Sequence, residues 1–128
     1  MEYGYQRIVS KLFDQVDSEI RELLMKEGFG IITEINIKST FKEKLNIDYN
    51  RFKILGACNP ILAEKALNLQ SEVAMLMPCN LVFWENIDSS VTISVINAEK
   101  QLNVTKNRDL IILGQDVDRM LRNAVDAL

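Results

Sequence analysis

The segment GFGIITEINIK, Gly28 to Lys38, marks the point where helical spacing of apolar residues gives way to strand spacing. Gly28 readily adopts the positive φ that ends a helix. After it, four apolar residues with strand spacing share one side: Phe29, Ile31, Ile35 and Ile37. The other side is polar except for Ile32, which gives the predicted strand one solvated face. Because one solvated face is typical of antiparallel strands, this segment predicts an antiparallel sheet.

Two long amphipathic helices are predicted, one near each end of the chain. The first begins at Phe13 with Ser10 as its expected N-cap, and its apolar residues follow helical spacing: Phe13, Val16, Ile20, Leu23 and Leu24. The second has a similar stripe: Leu110, Leu113, Val117, Leu121, Ala124, Val125 and Leu128. Each stripe needs an apolar surface against which to pack.

Four further segments have strand character: Tyr3–Val9, Arg51–Ala57, Leu81–Glu85 and Val91–Asn97. We expect the last two to form a hairpin around residues 86–89. Thr92 and Ser94 alternate with valine and isoleucine, so they are predicted to lie on a solvated face.

The clearest short helix is predicted at Asn59, because an asparagine N-cap followed by Pro60 at the first helical position is typical of a helix start. Thr40 and Glu43 have the spacing of a capping box for another short helix. The remaining short segments are Ala98–Leu102, which we expect to form one turn, and Val73–Met77, which is ambiguous.

Together these elements predict a single α+β domain, residues 1–128, with a mainly antiparallel sheet, two long amphipathic helices on one face and short helices besides. The opposite face is expected to be partly polar, through Asn36, Thr92 and Ser94. It also carries Ile32 and Trp84. A second copy of the chain or a ligand could therefore cover this face.

Composition excludes several classes of function. The chain has no histidine, which removes Ser-His and Cys-His catalytic pairs and mixed Cys/His zinc sites. The formal net charge of −3, with no basic stripe, argues against nucleic-acid binding. No apolar run has the length of a membrane span, and the first residues, MEYGYQRIVSK, lack the apolar segment of a secretory signal. Two cysteines are too few for a disulfide scaffold, so we expect a cytoplasmic protein.

Reactive chemistry is concentrated at two cysteines, each followed by an asparagine: Cys58, Asn59, Cys79 and Asn80. Cys58 precedes the predicted helix start, where unpaired N–H groups can lower a thiol pKa. If the strands that carry the two cysteines are antiparallel neighbours, both thiols lie at the same end of the sheet. These four residues are therefore the predicted ligand-binding site, with the alternative that Cys58 is a buried apolar residue closing a corner.

A metal site is the weaker alternative at this position. Cys58 and Cys79 supply only two of the four ligands that structural zinc requires. Met75 and Met77 lead to Cys79 at alternate positions, and thioethers with thiolates suit a soft ion such as Cu(I). Such methionines are also ordinary core residues, and no other cofactor is predicted.

Three functions remain open from the residues. The first is a small-ligand or metal-binding module at the corner formed by Cys58, Asn59 and Cys79. The second is a thiol-dependent redox protein or enzyme, with Cys58 as nucleophile and Cys79 resolving it. The third is a structural or protein-interaction domain without a small-molecule site. Because no histidine base is present, we expect a binding protein rather than an enzyme.

Three stretches resemble a known family: GFGIITEINIKSTFKEKL, FKILGACNPILAEKAL and MPCNLVFWE. They are similar to the small prokaryotic proteins of the domain-of-unknown-function family numbered 302, and the resemblance extends from Tyr3 to Leu128. It implies a TATA-binding-protein-like α+β fold and a homodimer, and it implies no activity. One departure is Asn36, where the family tends to have an aspartate.

Overall fold

The computed structural model of the protein describes residues 1–128. Its strands are β1 (Gly4–Val9), β2 (Gly30–Asn36), β3 (Phe52–Cys58), β4 (Cys79–Glu85) and β5 (Val91–Ile96). Its helices are α1 (Phe13–Lys26), α2 (Ile37–Leu45), α3 (Pro60–Leu69), α4 (Ala98–Asn103) and α5 (Arg108–Asp126). The ambiguous segment before β4 forms a 3-10 helix, Ser71–Leu76. None of the helices combines the length and apolar character that a membrane crossing requires.

The five strands form one sheet in the order β1-β5-β4-β3-β2, and every neighbouring pair is antiparallel. The hairpin between β4 and β5 places Phe83 opposite Ile93. The predicted α+β class with an antiparallel sheet is confirmed. The edges of the sheet are β1 and β2, which come from the first third of the sequence.

The core lies between one face of the sheet and the two long helices. The predicted stripe of α1 is buried at Phe13, Val16, Ile20 and Leu24, and that of α5 at Leu110, Val117, Leu121, Ala124 and Val125. Gly114 of α5 is also buried, because a Cβ there would lie 2.9 Å from the carbonyl oxygen of Ala98. This close approach brings α4 directly against α5.

A β-bulge in β2 corrects the predicted alternation. Ile31 pairs with Ala57, but the next paired residue, Thr33, faces Gly56, so Ile32 is an extra residue. The extra residue reverses the side on which later side chains lie. Ile35 is therefore on the face opposite the core, where it is 47% exposed, and the prediction that it shares a face with Ile31 is wrong.

Asparagine caps begin four of the five α-helices: Asn36 for α2, Asn59 for α3, Asn97 for α4 and Asn107 for α5. The prediction for Asn59 and Pro60 is confirmed. Two other cap predictions are wrong. The predicted capping box at Thr40 does not begin α2, which starts at Ile37, and the N-cap of α1 is Leu12 instead of Ser10. Asn36 is thus a cap, with its Oδ1 accepting from Ser39 N at 3.0 Å. Aspartate can fill the same role.

The sheet face opposite the core is less solvated than expected. Thr92 and Ser94 are only 3% and 9% exposed, and both belong to β5, which lies between β1 and β4 in the interior of the sheet. Asn86 donates to Thr92 Oγ1 at 2.9 Å. On the same face Trp84 stacks on Phe52, with ring centroids 5.3 Å apart.

Gly56 provides a test of how tightly β2, β3 and the start of β4 are packed. A Cβ on Gly56 would overlap Thr33 Oγ1 and lie 2.6 Å from Pro78 Cγ. We expect Gly56→Ala to lower the free energy of unfolding by about 1–3 kcal/mol, as overpacking does. The matched control is Gly30→Ala in β2, where no atom lies within 4 Å of the added Cβ. Urea unfolding of both variants measures the difference, and equal stability would contradict the packing described.

Candidate functional site

A cavity of about 80 Å³ lies at one end of the sheet, beneath α3, the 3-10 helix, α4 and α5. It is located where two hydrophobic clusters meet. The main cluster contains Ala57 and Val117 and lies between the sheet and the long helices. The smaller cluster joins Ala66, Val73, Leu102 and Leu110 of the surrounding helices. The cavity is therefore a gap between two separately packed groups of side chains.

Both cysteines line this cavity. Cys79 begins β4 and faces Ala57 in the β3 register, so Cys58 lies one residue beyond the pair at the same end of the sheet. The antiparallel pairing thus brings the two cysteines together as expected. Asn59 also lines the cavity, whereas Asn80 pairs with Gly56 and is exposed. The structure gathers three of the four predicted site residues and leaves Asn80 outside.

The local geometry of Asn59 explains why the chain turns here. Its Oδ1 accepts a hydrogen bond from Leu62 N at 3.3 Å and so caps α3. Its Nδ2 lies 2.9 Å from the position that a Cβ on Gly28 would occupy. Gly28 has φ +87°, which closes α1 and allows this approach. The end of α1 and the start of α3 therefore meet beside Cys58.

The environment of Cys79 suppresses its ionisation. Burial, and then the nearby Cys58 thiol, raise the pKa of Cys79 to about 11. Cys79 is consequently protonated at neutral pH, and a thiol is a much poorer nucleophile and metal ligand than a thiolate. The two cysteines are free, with no disulfide between them.

The lining residues offer little to a metal ion. Met77 lines the cavity, but Met75 is 81% exposed and does not, so the predicted pair of thioethers is not brought to one place. No group of three or more His, Cys, Asp or Glu side chains is gathered anywhere in the protein. The candidate soft-metal ligands are reduced to Cys58, Cys79 and Met77.

Most of the residues that line the cavity are not predicted from the sequence. Fifteen of the eighteen lining residues are hydrophobic, and the others are Asn59, Pro78 and Gln101. Gln101 belongs to α4, beside the buried Leu102. A glutamine in a short helix carries no sequence signal that it faces an internal cavity. That information comes only from the packing of α4 against α5.

Comparison with known proteins identifies the fold and a family. A family model described as "Domain of unknown function DUF302" matches residues 5–128. The protein described as "Crystal structure of uncharacterized conserved protein DUF302 from Bacillus stearothermophilus" has a TM-score of 0.90 and 24% sequence identity, with 98% of each chain covered. None of the curated proteins matches the chain. At this identity the structural likeness concerns the fold alone.

The raised pKa of Cys79 is directly testable. In a Cys58→Ser variant, burial alone still raises the pKa of Cys79, so its thiolate absorbance is expected to appear clearly above the ordinary value of 9.0. Subtraction of the spectrum of the double variant Cys58→Ser/Cys79→Ser removes the tyrosine contribution.

The linked effect on stability has a defined sign. Because the folded state favours the protonated thiol, this contribution to stability is complete below pH 9.0 and is lost as pH rises towards about 11. The free energy of unfolding of Cys58→Ser, measured relative to that of the double variant, should therefore fall as pH rises above 9.0. An ordinary Cys79 pKa in the folded protein would contradict the burial described.

Proposed function

Because the chain belongs to the DUF302 family, whose description assigns no function, we propose from the geometry that this protein is a small-ligand-binding module. The proposed site is the cavity lined by Cys58, Asn59 and Cys79. The single observation that carries the proposal is the partly open, almost entirely apolar cavity at one end of the sheet.

The cavity is energetically costly unless something fills it. Protein interiors normally have few voids larger than a water molecule. The side chains that line an unfilled volume of about 80 Å³ lose van der Waals contacts that a close-packed interior would provide. A ligand that fills it recovers part of this cost. Several lining residues are half-buried and Ile32 is 62% exposed, so the cavity is accessible from the surface.

The chemistry of the lining favours ligand binding over the two alternatives that use thiolates. Metal binding and nucleophilic catalysis both require an ionised sulfur. Cys79 has a raised pKa, and the chain has no histidine that could act as a base. The thiol-dependent redox protein, with Cys58 as nucleophile, is the second candidate, and it is favoured only by the presence of both cysteines on one cavity.

Two further properties are part of the proposal. The free thiols fit a reducing compartment, which supports the cytoplasm as the location. Homodimer formation stays a prediction from the family resemblance, and light scattering of the purified protein checks it. A monomer at micromolar concentration would contradict it.

Filling the cavity tests the proposed function. Ala63 of α3 lines the cavity, so Ala63→Leu should occupy part of it and abolish ligand binding. The control is Ala74→Leu, an exposed residue of the 3-10 helix outside the lining. A fragment library with neutral, anionic and cationic members is screened by amide chemical shifts of the cavity residues.

We expect at least one fragment to shift resonances of the lining in the wild type and in Ala74→Leu, but not in Ala63→Leu. Circular dichroism establishes that each variant is folded, and Ala63→Val replaces Ala63→Leu if the larger side chain prevents folding. Absence of cavity shifts with every fragment class would refute the proposed function.

A further inference from the structure

No charged side chain lines the cavity. Its three residues outside the hydrophobic set are Asn59, Pro78 and Gln101. An ionised ligand would lose its hydration without gaining a counter-charge, and such a transfer is strongly unfavourable. The nearest ionisable side chains are the two thiols, of which Cys79 is held neutral by burial. The electrostatic environment therefore favours an uncharged ligand.

Gln101 is the side chain best placed to make a specific polar contact. The Asn59 Oδ1 is already occupied by Leu62 N, so Asn59 offers only its NH₂ group as a donor, and a thiol is only a weak hydrogen-bond donor. The side-chain hydrogen bonds next to Gln101 run from Lys100 N to Asn97 and from Gln115 to Glu99, and neither uses the Gln101 amide. Its carbonyl oxygen and NH₂ group remain available to a ligand.

The backbone that carries Gln101 is fixed in place. The Asn97 side chain caps α4, accepting from Lys100 N at 2.9 Å, and the Gln101 N–H donates to the Asn97 carbonyl. On the other side, α4 touches α5 at Gly114. Ala98 and Leu102 of the same helix are buried and line the cavity with Gln101. Gln101 is thus carried by a rigid element, as a recognition residue requires.

The size of the cavity limits the ligand. A volume of about 80 Å³ is well below the roughly 300–1,000 Å³ of pockets that bury drug-sized molecules. It is sufficient for a short alkyl chain or an equally small hydrocarbon group. A longer ligand would extend from the mouth near Ile32.

We propose that the cavity selects an uncharged, largely hydrocarbon ligand with one hydrogen-bonding group, and that Gln101 recognises that group. The inference rests on the proposed function and names the class of ligand. Hydrocarbon contact with the lining provides affinity, and the single amide determines which polar end is accepted. Gln101 is therefore the specificity-determining residue of the site.

The test compares butan-1-ol, butanoate and butylammonium at pH 7, since these probes share a chain and differ in charge. Dissociation constants are measured from amide chemical shifts of the cavity residues. We expect butan-1-ol to bind at least tenfold more tightly than either ion. Gln101→Leu should weaken butan-1-ol binding about five- to tenfold, the effect of one net hydrogen bond. It should leave the affinity for toluene, which has no hydrogen-bonding group, unreduced.

Gln115→Leu is the matched control, because Gln115 bonds Glu99 outside the lining. It should change neither affinity, and Gln101→Met serves if the leucine variant does not fold. Tight binding of butanoate or butylammonium, or unchanged butan-1-ol binding in Gln101→Leu, overturns this inference while leaving a ligand site in the cavity. If no probe shifts any lining residue of the wild type, the proposed function itself fails.

Discussion

The antiparallel pairing of β3 with β4 is the constraint on which the rest of the site depends. The register sets Leu55 opposite Leu81 and Ala57 opposite Cys79, so these side chains face the helices. A slip of one residue would turn Leu81 and Cys79 to the other face. Thr33 and Pro78 lie directly over Gly56 and leave no space for another side chain. This contact fixes the register at the end of the sheet where the two cysteines lie.

The cavity follows from the way the rest of the chain completes the fold around that end. The main cluster is built chiefly from the sheet, α1 and α5, together with Ala98 of α4, whereas the smaller cluster is built from α3, the 3-10 helix, α4 and the start of α5. Leu113 packs against both clusters. Two groups of side chains that pack independently need not be complementary where they meet. The volume between them is the proposed binding site, and it depends on elements far apart in the sequence.

The features predicted correctly from the sequence are those that depend on residues close together in the chain. The buried stripes of α1 and α5, the cap at Asn59 and the hairpin after β4 all follow from spacing and turn chemistry within a few residues. The bulge at Ile32 was not predicted, because one extra residue in a strand does not change the amino-acid composition in a recognisable way. The burial of Thr92 depends on which strands flank β5, and the role of Gln101 depends on how α4 meets α5. Neither relation is encoded in the spacing of neighbouring residues.

Burial connects the two features of the site: the presence of both cysteines and the apolar lining. The cysteines were candidates for reactive chemistry because of their position at a helix start, yet the lining that brings them together is almost entirely apolar. The same low polarity that raises the pKa of Cys79 penalises any charged ligand. A site that keeps a thiol protonated is thereby suited to neutral molecules. In the proposed site the cysteines contribute small, polarisable contact surface, and hydrogen bonding to the ligand is assigned to the amide of Gln101.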